Sequence, residues 1–184
     1  MKRTNLILTG ILILLSGALH AQGKFSSKSA RISFFSSAPL ENIEAVNKNV
    51  VVLLDSKTGD LQFSLLMKGF EFKKALMQEH FNKNYVESDK FPRSSFKGVV
   101  VNNSEIDYSA NGSHNVTVKG KLTIHGITKD VETAGKIMVN EGKLQLNSTF
   151  NILLADYNIS IPKLYRDNIS KSIKITVDGV LSPL

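Results

Sequence analysis

In segment after segment between residues 30 and 177, apolar side chains fall on every second position. Successive side chains of an extended chain point to opposite sides, so period two is the spacing of strands with one buried face. Ala30, Ile32 and Phe34 alternate with Arg31 and Ser33, and Leu61, Phe63, Leu65 and Met67 alternate with Gln62, Ser64 and Lys68. Lys57-Thr58-Gly59-Asp60 is turn chemistry joining the latter strand to Val50–Leu54. A further strand begins at Phe96. Val116, Val118, Leu122 and Ile124 alternate with Thr117, Lys119, Lys121 and Thr123. Val131, Ile137 and Val139 come next, and Asn140-Glu141-Gly142 closes a hairpin. Leu144, Leu146, Phe150 and Ile152, then Ile173, Ile175 and Val177, complete the series. About eight strands with hairpin-length connections predict an all-β, antiparallel barrel or sandwich. No helix-period segments separate the strands, which argues against a parallel α/β fold.

Two stretches depart from the alternation. Leu40–Asn47, preceded by Pro39, is short and mixed and is read as one or two helical turns. Over Lys73–Ser88, Met77, Phe81 and Tyr85 recur every four residues with Leu76 alongside, which predicts the one helix, and Pro92 stops its extension.

The N-terminus reads as a secretory signal. Lys2 and Arg3 precede an apolar run over Leu6–Ala18, and Ala18-Leu19-His20-Ala21 offers a small-residue exit with cleavage expected after Ala21. The run is shorter than the ~20 residues a membrane span needs. Residues 1–21 are therefore assigned to a signal peptide and 22–184 to a single domain. The expected product is periplasmic or secreted, with no membrane span after cleavage.

Chemistry is harder to place. The chain has no cysteine, which excludes thiol catalysis, thiolate metal sites and a lipidated Cys at the mature N-terminus. His80, His114 and His125 have different local settings and lack metal-ligand spacing. There is no nucleophile elbow and no Gly-rich phosphate loop. Asp89, Asp130 and Asp156 lie near turns, where carboxylates commonly bond backbone amides. The net charge of +7 is scattered rather than gathered into a stripe, so nucleic acid is not an expected partner. The residues point to a non-enzymatic protein without cofactor or metal.

Phe81–Pro92 (FNKNYVESDKFP) runs into Ser95-Phe96-Lys97-Gly98, and Val118–Val131 reads VKGKLTIHGITKDV. This pair resembles the YceI-like family of exported proteins: a helix ending in an aromatic-rich segment, a P-x-x-x-F strand start, then a G-x-L-T-I-H-G-I-T-K-x-V hairpin. The resemblance covers about Lys28 to Leu181. Family members often open with a Trp-containing segment and a Phe-x-Val-x-His strand. Arg31–Ser37 has neither Trp nor His, which places this chain in a divergent branch. Gly120 within the hairpin suggests a bulge or tight bend. His125-Gly126 supplies a turn able to take positive φ, with Thr128-Lys129-Asp130 reversing the chain. His125 could also touch a ligand head group.

The resemblance implies a lipocalin-like barrel of about eight strands, closed at one end by the helix and holding an isoprenoid-like or other amphiphilic lipid. The alternation then points Phe34, Phe63, Leu65, Met67, Phe96, Val118, Leu122, Phe150, Ile152 and Ile175 inward, with Phe81 and Tyr85 closing the end. Lys163, Tyr165 and Arg166 are candidates for a lipid head group. A ligand-free, solidly packed barrel acting as an interaction or stress-related protein is the alternative. Pairing of two barrels into a homodimer stays open.

Overall fold

The computed structural model describes residues 23–184, so the signal segment 1–21 lies outside the described residues. The strands are β1 (Lys24–Ser37), β2 (Asn42–Asp55), β3 (Asp60–Leu66), β4 (Phe70–Phe72), β5 (Arg93–Val100), β6 (Gly112–Ile124), β7 (Ile127–Asn140), β8 (Lys143–Leu153) and β9 (Ser172–Pro183). All belong to one sheet in the order β1-β9-β8-β7-β6-β5-β3-β2-β4, and β1 also pairs with β2. Eight strands thus close into an antiparallel lipocalin-like barrel, with β4 attached to the outer end of β2 through Ala45–Asn47. Two hairpins, β6–β7 and β7–β8, turn on residue pairs with positive φ: His125 and Gly126, then Glu141 and Gly142. Such turns match the right-handed twist of the flanking strands.

The closing seam explains where the alternation fails. In the β1–β2 ladder, Ser27 pairs with Val52, Ala30 with Val50 and Ile32 with Asn47. One extra residue thus sits in β1 at Lys28-Ser29, and one in β2 at Lys48-Asn49. The two bulges cancel in register, but each switches which parity of its strand faces inward. On β1 the buried set passes from Phe25 and Ser27 to Ala30 and Ser36, and on β2 from Ala45 and Asn47 to Val50, Val52 and Leu54. The expected helical turns at Leu40–Asn47 are instead a bend followed by the first half of β2. Its apolar positions Ile43 and Ala45 are in phase only up to the bulge, so the strand was too short to recognise by period.

Asn47 secures this seam. It is 1% exposed. Its amide donates to the Leu66 carbonyl at 2.9 Å, and its Oδ1 accepts from the Asn49 N–H at 3.0 Å inside the bulge. A bulge leaves backbone groups without ladder partners, and buried groups of that kind must be satisfied.

The barrel is filled at one end only. Phe25, Leu54, Val100, Ile106, Val139, Leu144 and Leu181 are all buried at the end where β1 starts and β9 finishes. The β5–β6 connection folds across this floor. The Tyr108 ring stacks on Phe25, and its hydroxyl donates to Asn103, whose amide reaches the Ser56 carbonyl. Burial pushes the Tyr108 phenol up to about 12. The opposite end carries β4, the helix and the loops around residues 38–41 and 162–171.

Asn47→Ala strands the Leu66 carbonyl and the Asn49 N–H, and is expected to lower stability by about 1–3 kcal/mol. Urea unfolding checks this: the midpoint falls while the slope is unchanged.

Candidate ligand cavity

Above the packed floor the barrel holds a cavity of about 690 Å³. Its wall includes Phe34 from β1, Phe63 and Leu65 from β3, Phe96 from β5, Val118 and Leu122 from β6, Phe150 and Ile152 from β8, and Ile175 from β9. Met67 lines it as well, from a short 3-10 turn (Met67–Gly69) rather than from the strand itself, and is 5% exposed. The ten residues expected to face inward therefore line one space, and Phe81 and Tyr85, expected to close its end, line it too. The same alternation also carries polar residues onto this wall: Ser94, Thr133 and Ser148 line it, each two positions from an apolar neighbour.

The space exists because one side of the wall carries small residues. Gly135 on β7 faces Ser148 on β8 and both line the cavity, as do Ser94 and Thr133, whereas the facing pair Gly98 on β5 and Gly120 on β6 is covered by the Phe96 ring. An eight-stranded barrel is just wide enough to be filled when its inward side chains are bulky, so small ones leave room. Gly120 is not a bulge, because the β5–β6 register runs through it unbroken. It marks a close approach: a Cβ there would sit 2.5 Å from Gly98 Cα and 2.6 Å from the tip of the Phe96 ring.

The mouth is framed by the helical segment. The expected Lys73–Ser88 helix is shorter: α1 spans Ala75–His80 and passes into a π-turn over Phe81–Tyr85. The Asn82 amide takes the Gln78 carbonyl at 2.9 Å, and the Val86 N–H returns to Phe81 instead. A side chain inserted into the ladder widens the helix in this way. The wider turn places Phe81 against Phe34, Phe70 and Phe72, with ring centroids 5.0–5.6 Å apart. Tyr85 and Tyr165 both line the opening, and Tyr85 is pushed up first by burial and then by the Tyr165 hydroxyl. Lys163 and Arg166 are exposed and do not line the cavity. Lys74, which does line the mouth, is ion-paired with Glu41 at 2.9 Å.

The wall also parts on one side. The β7–β8 ladder ends at Gly135–Ser148, although β7 runs on to Ile127 and β8 to Leu153. Ser148 donates to the Ala134 carbonyl at 2.7 Å, meeting the first backbone group beyond the ladder. A second hollow of about 340 Å³ lies between these edges, closed below by Asp156 and Tyr157.

His125 lines neither space. Its φ of 51° is a left-handed value uncommon outside Gly and Asn. Two contacts hold it: Nε2 lies 2.7 Å from the Glu87 carboxylate and Nδ1 3.0 Å from the Tyr157 carbonyl. Its ring meets Phe91 edge-on at 4.6 Å. The histidine pins the β6–β7 hairpin to the segment after the π-turn and to the end of β8. Thr128–Asp130 belongs to β7, so the reversal is His125-Gly126 alone. Asp130 and Asp89 pair with Lys121 and Lys68 instead of bonding turn amides. Among the described residues, no three His, Cys, Asp or Glu side chains converge as a metal site would require.

A family model described as YceI-like domain matches residues 14–181. Among solved structures, the chain is similar to a polyisoprenoid binding domain from Saccharophagus degradans implicated in plant cell wall breakdown. That likeness has 12% identity over 88% of this chain and 99% of the other, with a TM-score of 0.77. BcnA of Burkholderia cenocepacia is 16% identical over 83% and 96%, at TM-score 0.67. The YCEI protein of Campylobacter jejuni is 12% identical over 98% and 89%, at TM-score 0.54. No curated protein sequence matches this one.

The His125 contact gives a pH prediction. Its hydrogen bond, more than any other influence, holds the Glu87 carboxyl below its ordinary value of 4.5. A carboxylate depressed in the fold contributes stability above that ordinary value and loses it as pH falls through the folded value. The stability difference between wild type and Glu87→Gln is therefore expected to be present at about pH 5 and to shrink in more acidic solution. Urea midpoints at the two pH values measure it, and a gap insensitive to acid would contradict the assignment.

Proposed function

Because this chain belongs to the YceI-like domain family, we propose that it is an exported carrier, without chemistry of its own, that holds one isoprenoid-like or other amphiphilic lipid in its barrel. The observation that carries this reading is the 690 Å³ hollow walled mainly by Phe, Leu, Ile and Val. A packed barrel, the alternative, needs that volume filled, and the small lining residues Ser94, Thr133, Gly135 and Ser148 leave it open. The relative from Saccharophagus degradans described as polyisoprenoid binding supports the ligand class. The signal-like residues 1–21 support export to the periplasm or beyond. Among the described residues, no helix is long and apolar enough to cross a membrane.

Size narrows the ligand. At about 30 Å³ per water-sized group, the cavity takes a chain of about 20 heavy atoms. Burying each methylene is worth about 0.8 kcal/mol, so such a chain gains about 16 kcal/mol. Association costs about 4–15 kcal/mol in lost freedom. A chain of that length is therefore held, whereas one half as long is marginal. The polar group stays at the mouth near Tyr85, Tyr165 and the Lys74–Glu41 pair, because the interior offers it few partners.

Protein purified from its native host and extracted with organic solvent is expected to release a prenyl or comparable lipid, read by mass spectrometry. Added prenyl alcohols should raise the melting temperature at about 20 carbons and hardly at about 10. Thr133→Trp/Ser148→Trp/Ile175→Trp, which narrows the hollow from three strands, is expected to weaken both effects and to shift the favoured chain to fewer carbons. Wild-type protein that releases no lipid and shows no melting shift with any prenyl alcohol would sink the reading.

A further inference from the structure

Among the described residues, the three most exposed large apolar side chains are Leu164 at 81%, Leu40 at 72% and Leu76 at 62%. They come from three separate segments: the bend between β1 and β2, the first turn of α1, and the loop between β8 and β9. These segments meet. The Leu40 N–H donates to the Asp167 carbonyl at 2.9 Å, tying the bend to the β8–β9 loop. Glu41 pairs with Lys74 at 2.9 Å, tying the bend to the start of α1. Leu76 and Leu164 themselves line the cavity, beside Glu41 and Lys74. The leucines therefore stand around the cavity's mouth, and Tyr165 beside them is 41% exposed.

Lone exposed leucines are ordinary, but three of them gathered on the rim of an apolar cavity make a surface with a purpose. The charge around them says what it meets. Lys73, Lys163 and Arg166 are exposed, and none takes part in an ion pair found among the described residues. Of the acids on these segments, Glu41 and Glu79 are each engaged by a lysine, leaving Asp167, with Glu44 at the start of β2, to oppose the three free cations. Apolar side chains that project from a basic ring suit a bilayer with anionic head groups: leucines enter the acyl boundary and lysines meet the phosphates. A tyrosine at that depth also fits the interface.

The geometry points to the barrel mouth as a membrane-docking rim, on which Leu40, Leu76 and Leu164 insert into an anionic lipid surface while Lys73, Lys163 and Arg166 hold it there. This inference rests on the carrier reading, because it lets a lipid pass between bilayer and cavity without crossing water. It also gives Lys163 and Arg166 a role, since they face out from the rim rather than into the cavity.

Flotation with vesicles of phosphatidylethanolamine and phosphatidylglycerol, against vesicles of phosphatidylcholine alone, tests it. The mature protein is expected to float with the anionic vesicles and to be released by salt. The variant Leu40→Ser/Leu76→Ser/Leu164→Ser alters only exposed positions and should keep the wild-type melting temperature, yet lose more than about tenfold in partitioning. Lys73→Glu/Lys163→Glu/Arg166→Glu should abolish the preference for phosphatidylglycerol. Wild-type protein that stays in solution with both vesicles, or a serine variant that floats as well as wild type, overturns the rim. So does a concentration-dependent dimer that the serine variant dissolves, which would assign the patch to a second copy. Extracting lipid from the same samples separates the two readings. Retained lipid without flotation removes the rim and leaves the carrier, whereas flotation without any retained lipid removes the carrier and leaves the rim.

Discussion

Everything in this molecule depends on the closure of its sheet. β1 pairs with β2 on one side and β9 on the other, which turns an open sheet with two unpaired edges into a ring. Closure has to bend the strands, and the bend is concentrated in the opposed bulges at Lys28-Ser29 and Lys48-Asn49. Asn47 accepts from the Asn49 N–H in the β2 bulge and donates to the Leu66 carbonyl beside it, while the Ser27 hydroxyl accepts from the Ser29 N–H in the β1 bulge.

A ring of hydrogen bonds lets the interior stay partly empty. Protein interiors are normally packed to crystal density, and an unfilled hollow forfeits dispersion contacts on every atom of its lining. Here the floor supplies the dense packing, around Leu54, Leu144 and Leu181, and the ladder supplies the wall. The upper half can then carry glycine, serine and threonine where a solid barrel would carry leucine. The hollow is thus a consequence of a few residue sizes on β5 to β8, laid onto a frame that does not need them large.

The mouth is built by side chains tying remote segments together. Phe81 reaches into the Phe34–Phe70–Phe72 cluster from the π-turn, and His125 binds the β6–β7 hairpin to Glu87 and to the Tyr157 carbonyl. The strained backbone of His125 fits this role: a turn that Asn-Gly would make more easily is made by a residue with two ring nitrogens to anchor it. The family-like hairpin signature is accordingly architectural at His125, and its nearness to the mouth does not make it a lining residue.

The antiparallel β class, the identity of most strands and the ten inward positions read from alternation were legible in the chain, because a strand's two faces are written in its local alternation. The first half of β2 was not. Its parity changes at a bulge whose presence depends on β1, twenty residues away, and Asn47 is polar yet buried. The helix was legible in kind but not in extent, since the π-turn depends on the Asn82 side chain displacing a backbone bond. Lys163 and Arg166 were visible as a basic loop, but the direction they face depends on how that loop meets Leu40. Which side of each strand is apolar follows from the order of residues along the chain, because alternation is a relation between near neighbours. Whether those sides meet in a filled core or a hollow was decided only by the tertiary structure, because volume is a property of eight strands facing one another across a ring.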